Sequence, residues 1–192
     1  LRAIIYAFHM PFFMALSGYT FYYAKSLDKA MPHRVEWIWA RAKRLLQPFL
    51  LFGLIIVLGK HIAAQYLYVD NYSQNLSRDL LNLFWYTPES AAKSIWYVFV
   101  LFEICVIAVL AAPWVRRPVF LFLLGLPLVL ISDKVPYFYT DRLFLYMPFL
   151  FFGGMLAEAG DKFLDWADRK LVLNLVLFLA AIIISRYVAI WK

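Results

Sequence analysis

Apolar residues in this chain fall in long unbroken runs, separated by shorter stretches where the charges collect. Six runs stand out, at residues 3–24, 45–66, 94–113, 118–132, 142–157 and 171–191. Most approach the roughly 17–25 residues that a helix needs to cross a lipid bilayer, the fourth and fifth being short. None alternates apolar with polar positions, as barrel strands do. In lipid every backbone N–H and C=O must be satisfied within its own segment, so the runs predict helices. The expectation is an all-α fold: a polytopic transmembrane helical bundle of about six spanning helices, forming a single domain over residues 1–192.

Composition sharpens this picture. Hydrophobic residues make up 65% of the chain and charged residues 16%, and the mean hydropathy is +0.71. A soluble domain carries about 45–50% apolar and about 25% charged residues, so lipid must act here as a second solvent. The formal net charge of +7 would raise nucleic-acid binding in a soluble protein. Here the cations stand beside apolar runs, where they meet anionic lipid headgroups and set topology. Membrane lipid is therefore an expected partner and nucleic acid is not. The single cysteine, Cys105, lies inside an apolar run and reads as a small buried side chain.

Charge distribution orients the runs. The segment 25–44 carries Lys25, Lys29, Arg34, Arg41, Lys43 and Arg44 against only Asp28 and Glu36. The segment 60–93 is balanced, the Arg116-Arg117 turn is basic, and 133–142 is balanced again. Basic excess on alternate connections places the first of them in the cytoplasm. The segment 60–93 then lies outside, with Asn71, Tyr72, Trp85 and Tyr86 near the surface. Asn75-Leu76-Ser77 fits a glycosylation sequon, a short pattern that arises readily by chance. Trp37, Trp39, Trp85, Trp96, Trp114, Trp166 and Trp191 flank the runs and read as interfacial anchors. The chain opens at Leu1 with no signal-peptide layout, so a missing upstream segment is expected.

Few residues are placed to carry chemistry. Arg41 and Arg44, with Lys43 between them, stand at i and i+3 before the second run, on one helical face. Two such guanidinium groups can grip phosphate oxygens bidentately; they can equally serve as a stop-transfer cluster on headgroups. His9 sits in Phe8-His9-Met10-Pro11-Phe12-Phe13, where an imidazole needs a cavity or a partner. It can polarise an acceptor hydroxyl, or hydrogen-bond a neighbouring helix. Glu103, near the middle of the third run, should face the bundle interior and is a second candidate for acid–base work. It is placed to pair with His9 or with a cation. Ser17-Gly18 reads as a close-packing patch. Solvated roles suffice for His33 and His61, while Asp133, Asp141 and Arg142 are candidates for an outer mouth. There is no P-loop, dinucleotide fingerprint, zinc spacing or nucleophile elbow, so neither a metal nor a resident cofactor is expected.

Phe8-His9-Met10-Pro11-Phe12-Phe13, followed by Leu16-Ser17-Gly18-Tyr19, resembles the second spanning helix of the membrane acyltransferase-3 family, in particular its fucose 4-O-acetylase-like subgroup. Arg41-Ala42-Lys43-Arg44-Leu45-Leu46-Gln47-Pro48 resembles the family's Arg-x-x-Arg motif. Ile95-Trp96-Tyr97-Val98 and Pro148-Phe149-Leu150-Phe151-Phe152-Gly153-Gly154-Met155 resemble two later helices, in the family's order. The resemblance implies an O-acyltransferase. Its donor substrate would be an acyl-CoA, usually acetyl-CoA, bound from the cytoplasm. Its acceptor would be a hydroxyl of a saccharide, a glycolipid or another cell-surface molecule. Arg41 and Arg44 would hold the CoA phosphates. The family's main catalytic histidine belongs to an earlier helix, and Arg2 with His9 does not match the spacing of that motif. His9 would then be a secondary site residue, and the chain a fragment lacking the first and the C-terminal helices, inactive alone. The implied place is the cell membrane, with multiple passes, as in a bacterial plasma membrane.

Two other readings compete. A transporter or flippase would use His9 and Glu103 to relay protons, although no internal repeat is visible. A membrane scaffold would use its arginines for topology alone.

Overall fold

The computed structural model of the chain describes residues 2–70, 73, 75–86, 89–90, 95–160, 165 and 169–170, with side chains of the first helix from Phe8 onward. The elements are helices: α1 (Arg2–Tyr23), α2 (Ser26–Ala30), α3 (Arg34–Ala63), α4 (Leu76–Asn82), α5 (Trp96–Ala111), α6 (Pro118–Val129) and α7 (Thr140–Ala159). A 3-10 turn at Ser132–Lys134 and an isolated bridge between Tyr86 and Tyr137 complete them. The all-α expectation therefore holds. The sixth predicted run, 171–191, with Trp166 and Trp191, lies outside the described residues.

Local sequence explains where these helices start and stop. Pro118 opens α6, in the first turn, where a missing N–H costs nothing. The Asn75 side chain caps α4, accepting from the Ser77 N–H at 3.1 Å. Gly160, at φ 56°, ends α7 in a backbone region that favours glycine. Pro11 lies within α1 without ending it, as neighbouring helices in a bundle permit.

Helix lengths depart from the predicted runs in both directions. The polar segment ahead of the second run is not a loop: α3 begins at Arg34 and extends for 30 residues. Arg41, Lys43 and Arg44 thus stand about two turns inside a continuous helix rather than at its entry. By contrast α5 has 16 residues and α6 only 12. At about 1.5 Å per residue α6 rises about 18 Å. Among the described residues two helices, Arg34–Ala63 and Thr140–Ala159, are long and apolar enough to cross a membrane.

The surface is inverted relative to that of a soluble protein. Leu51, Ile55, Phe120 and Leu124 are each more than half exposed, on the outer faces of α3 and α6. Such a contiguous apolar surface is stable only against lipid or another protein. The core lies where α5 meets α1, α3 and α7, around Val100, Ile104, Cys105, Ala108 and Leu150, all fully buried.

The closest helix contact is between α1 and α7, which run parallel. A Cβ on Gly18 would collide with the Leu150 carbonyl, and one on Gly153 with the Ala15 carbonyl. A Cβ on Gly154 would stand 2.6 Å from the Tyr22 ring. Small residues let helix backbones approach this closely, and in lipid such packing supplies most of the association energy. The packing role read for Ser17-Gly18 is what the structure shows for Gly18. Ser17 instead joins a brace to α5. Tyr97 donates its hydroxyl to the Phe13 carbonyl at 3.1 Å, which leaves Ser17 to donate to Tyr97 at 2.6 Å.

The aromatic anchors divide. Trp39, Trp85 and Trp114 are exposed, as interfacial residues are. Trp96 is not: it is a core residue, 6% exposed, beneath the Arg142 guanidinium. Trp37 is half-buried beneath Arg41.

These contacts generate a paired expectation. Gly153→Leu forces α1 and α7 apart, and the variant loses its monodisperse folded peak in detergent size-exclusion. Gly59 in α3 has open space around it. Gly59→Ala gains about 0.5–1 kcal/mol from helix propensity, read as a higher melting temperature.

Candidate functional site

The turn between α1 and α2 forms one edge of a pocket of about 410 Å³ at the basic end of the bundle. Lys25 stands in this turn in the left-handed region, at φ 51° and ψ 41°. A non-glycine residue is held there at a cost of about 1–2 kcal/mol. Its N–H donates to the Tyr22 carbonyl at 2.9 Å, and its own carbonyl accepts from Lys29 at 3.1 Å. Tyr22, Asp28, Met31, Arg116 and Glu158 line the pocket with it. The wall therefore draws on α1, α2, the α5–α6 connection and the end of α7.

Among the described residues, the Tyr22 hydroxyl and Nε of Arg41 lie buried without a hydrogen-bond partner near this end. Leaving such donors unsatisfied costs about 1–3 kcal/mol each, more for a charged group. Arg41 and Arg44 do not act as a matched pair. Arg41 is half-buried, its guanidinium 5.3 Å from the Phe21 ring centre and 5.1 Å from that of Trp37. Arg44 is exposed. Lys43 is also exposed, its ammonium 5.3 Å from the Trp39 ring. Arg41 thus points into the bundle, and the other two cations point away from it. A stem three residues along a helix turns about 300°, which brings Arg44 near Arg41 in sequence space but leaves it on the solvent side of the same ridge.

Polar groups continue inward and across. Glu103 sits two residues from Cys105, and its Oε2 is buried with no hydrogen-bond partner. It faces the interior, as predicted. It forms no ion pair with His9 or with a cation among the described residues. His9 is half-buried on α1, with its ring edge-on to Phe13 at 4.6 Å. Among the described residues His9 makes this ring contact and no hydrogen bond to another helix.

The opposite end carries a second polar group. Arg142 lies 4.5 Å over the Trp96 ring and 5.9 Å from that of Tyr139, with Nε 4.0 Å from Asp141. Of the three residues read as candidates for an outer mouth, Asp141 and Arg142 open α7 side by side, and Asp133 is exposed in the 3-10 turn. Tyr139 is buried between Phe49 and Phe99, and burial pushes its phenol above the usual value while a hydrogen bond from Ser90 pulls it back.

His61 departs from its solvated expectation. Its side chain is 20% exposed and stands 3.8 Å from the nearly buried Asp79, with Nδ1 3.2 Å from the Val57 carbonyl. Asp79 also accepts from the Ser73 N–H at 3.2 Å. Glu89 binds Arg78 and Asn82, each at 3.1 Å. The segment after α3 is therefore folded down by polar contacts onto the bundle end. Sequence reading missed Asp79, Asn82 and Glu89, because ordinary loop composition hides them. Their one signal is the Asn75 cap, which announces a helix inside the segment. His33 keeps its solvated role, 3.8 Å from Glu36 with both side chains largely exposed.

The geometry thus gives a helical bundle with an apolar coat, a charged pocket at one end and buried polar groups within. No curated protein and no solved structure matches the chain. A family model described as an acyltransferase domain, that of the acyltransferase-3 family, matches residues 1–192. With its whole length covered by that match, the chain belongs to the membrane-associated acyltransferase-3 family.

Proposed function

We propose that this chain is part of a multi-pass O-acyltransferase of the cell membrane, a bacterial plasma membrane in the simplest case. It would move an acyl group, typically acetyl, from acyl-CoA in the cytoplasm to a hydroxyl of a saccharide or other surface molecule. Family membership supports the transferase chemistry. The observation that carries the rest is Arg41. A charged guanidinium with a buried, unpartnered Nε is costly inside an apolar bundle, and a ligand oxygen arriving from the basic end would satisfy it.

In this reading the positive-inside rule places the basic end in the cytoplasm. The acceptor hydroxyl attacks the thioester carbonyl, the C–O bond forms, and the C–S bond breaks. The hydroxyl proton passes to a base, and CoA leaves as its thiol. Arg41 stabilises negative charge on the donor, as preorganised donors do in a site from which water is excluded. Arg44 and Lys43, both exposed, attract the anionic donor from solution. His9 assists as a secondary residue beside the main base, and Glu103 is a reserve of proton-accepting capacity in the bundle.

Full-length protein in inverted membrane vesicles, supplied with labelled acetyl-CoA, tests the proposal. Arg41→Ala lowers transfer by on the order of 10² or more, the scale of losing one transition-state donor. Arg44→Ala raises the KM for acetyl-CoA instead. Undiminished transfer by Arg41→Ala at limiting donor removes the proposed role. His9→Ala should lower transfer more than it lowers expression; matched losses point to packing. Wild-type vesicles that move a solute but transfer no label would favour the transporter reading.

A further inference from the structure

His9 stands on a weakened turn of α1. Pro11, two residues on, has no N–H to give, so the Ala7 carbonyl loses its helical partner and the turn that carries His9 lacks a rung. The imidazole is half-buried, and its ring contact is to Phe13 of the same helix, one turn on. By itself, α1 holds this imidazole loosely.

The hold comes from α5. Tyr97 gives its hydroxyl proton to the Phe13 carbonyl at 3.1 Å and accepts from Ser17 at 2.6 Å, so it grips α1 on each of the two turns that follow His9. His9, Phe13 and Ser17 are spaced i, i+4 and i+8 and share one face of the helix. The Tyr97 ring stands edge-on to that of Phe13, 6.5 Å between centres, and Phe13 stands edge-on to His9. Tyr97 is itself firmly seated. Its neighbour Trp96 is a core residue, packed against the Arg142 guanidinium at 4.5 Å and the Tyr146 ring at 5.0 Å. An unbroken line of contact therefore runs from α7 through Trp96 and Tyr97 to the turn that carries the imidazole.

We propose that Tyr97 is a positioning residue for His9. This rests on the role given to His9 in the acyltransferase reading above. His9 lies farther from the basic end than the brace does, on the side from which the acceptor hydroxyl comes in that reading. A group that takes part in proton transfer must stand within hydrogen-bond reach of its partner, and a displacement of about 1 Å already costs a large factor in rate. A turn that lacks a rung has that freedom, and the brace removes it. Phenylalanine at position 97 would keep the ring contacts and lose only the brace. The freed Ser17 hydroxyl can then turn back to a carbonyl of its own helix, as the Thr20 hydroxyl does with those of Leu16 and Ser17. The substitution thus separates position from packing.

The test uses full-length protein in two forms: inverted membrane vesicles with labelled acetyl-CoA for rates, and nanodiscs with ¹⁵N-labelled histidine for ring signals. Tyr97→Phe lowers kcat about tenfold and leaves the KM for acetyl-CoA unchanged. In the His9→Ala background the same substitution costs nothing more, because it acts through the imidazole. A tyrosine that serves packing alone costs the same factor in both backgrounds, and that result overturns the proposal. In the nanodiscs the His9 ring signal, assigned by its loss in His9→Ala, moves or broadens in Tyr97→Phe, while those of His33 and His61 stay. Ser17→Ala, which removes one leg of the brace and leaves the other, moves it less. A His9 signal that stays put in both variants overturns the proposal whatever the rates. So does a loss of kcat that only matches the loss of folded protein in detergent size-exclusion. Wild-type vesicles that transfer no acetyl group, together with a His9 signal that moves in Tyr97→Phe, leave the positioning standing and remove the acyltransferase reading.

Discussion

Backbone-to-backbone contact between α1 and α7 is the constraint on which the other helix positions depend. Where Gly18 faces the Leu150 carbonyl and Gly153 faces that of Ala15, no side chain can be interposed. With lipid outside, burying apolar surface gives little drive to associate, so close van der Waals packing must hold the helices together. The contact fixes the depth of α1 against α7. It thereby sets the height of His9, Ser17 and Tyr22 relative to the α7 residues Tyr146 and Glu158. The brace from Tyr97 to Ser17 and to the Phe13 carbonyl then ties α5 to the same frame. Glu103 and Cys105 are carried on α5, so their positions follow from two glycines in other helices.

The polar groups are distributed unequally over this frame. At the end near α4, Asp79, Asn82 and Glu89 bond their neighbours, His61 stands beside Asp79, and Arg142 lies flat on Trp96. At the basic end and in the interior, Tyr22, Arg41 and Glu103 hold buried atoms with no partner. Buried polar groups are paired in nearly all stable structures, and exceptions call for an explanation.

Much of the fold was legible because lipid imposes a simple rule. Apolar runs of spanning length must be helices, and α1, α3, α5, α6 and α7 stand where five of the runs did. Boundaries were less legible, since helix propensity does not stop where hydropathy does. The segment Arg34-Val35-Glu36-Trp37-Ile38-Trp39 is polar enough to look like a loop, yet it contains no helix breaker, and α3 runs through it. At the site, residue types were legible and directions were not. Arg41 and Arg44 share a helix face by spacing, but the rings of Phe21 and Trp37 draw in only Arg41. Nothing in the sequence marks Lys25 as left-handed, or Trp96 as buried beneath Arg142. Those facts come from tertiary packing and from the turn geometry, neither of which has a local signal.

The brevity of α6 has a consequence for the bilayer itself. A helix rising about 18 Å cannot match a hydrocarbon slab about 30 Å thick. Where such a helix stands in lipid, the bilayer thins beside it or its ends are sheltered, each at a modest cost per ångström of hydrophobic mismatch. Beside α6, whose outer face carries exposed Phe120 and Leu124, the apolar coat of the bundle is therefore shorter than along the 30-residue α3.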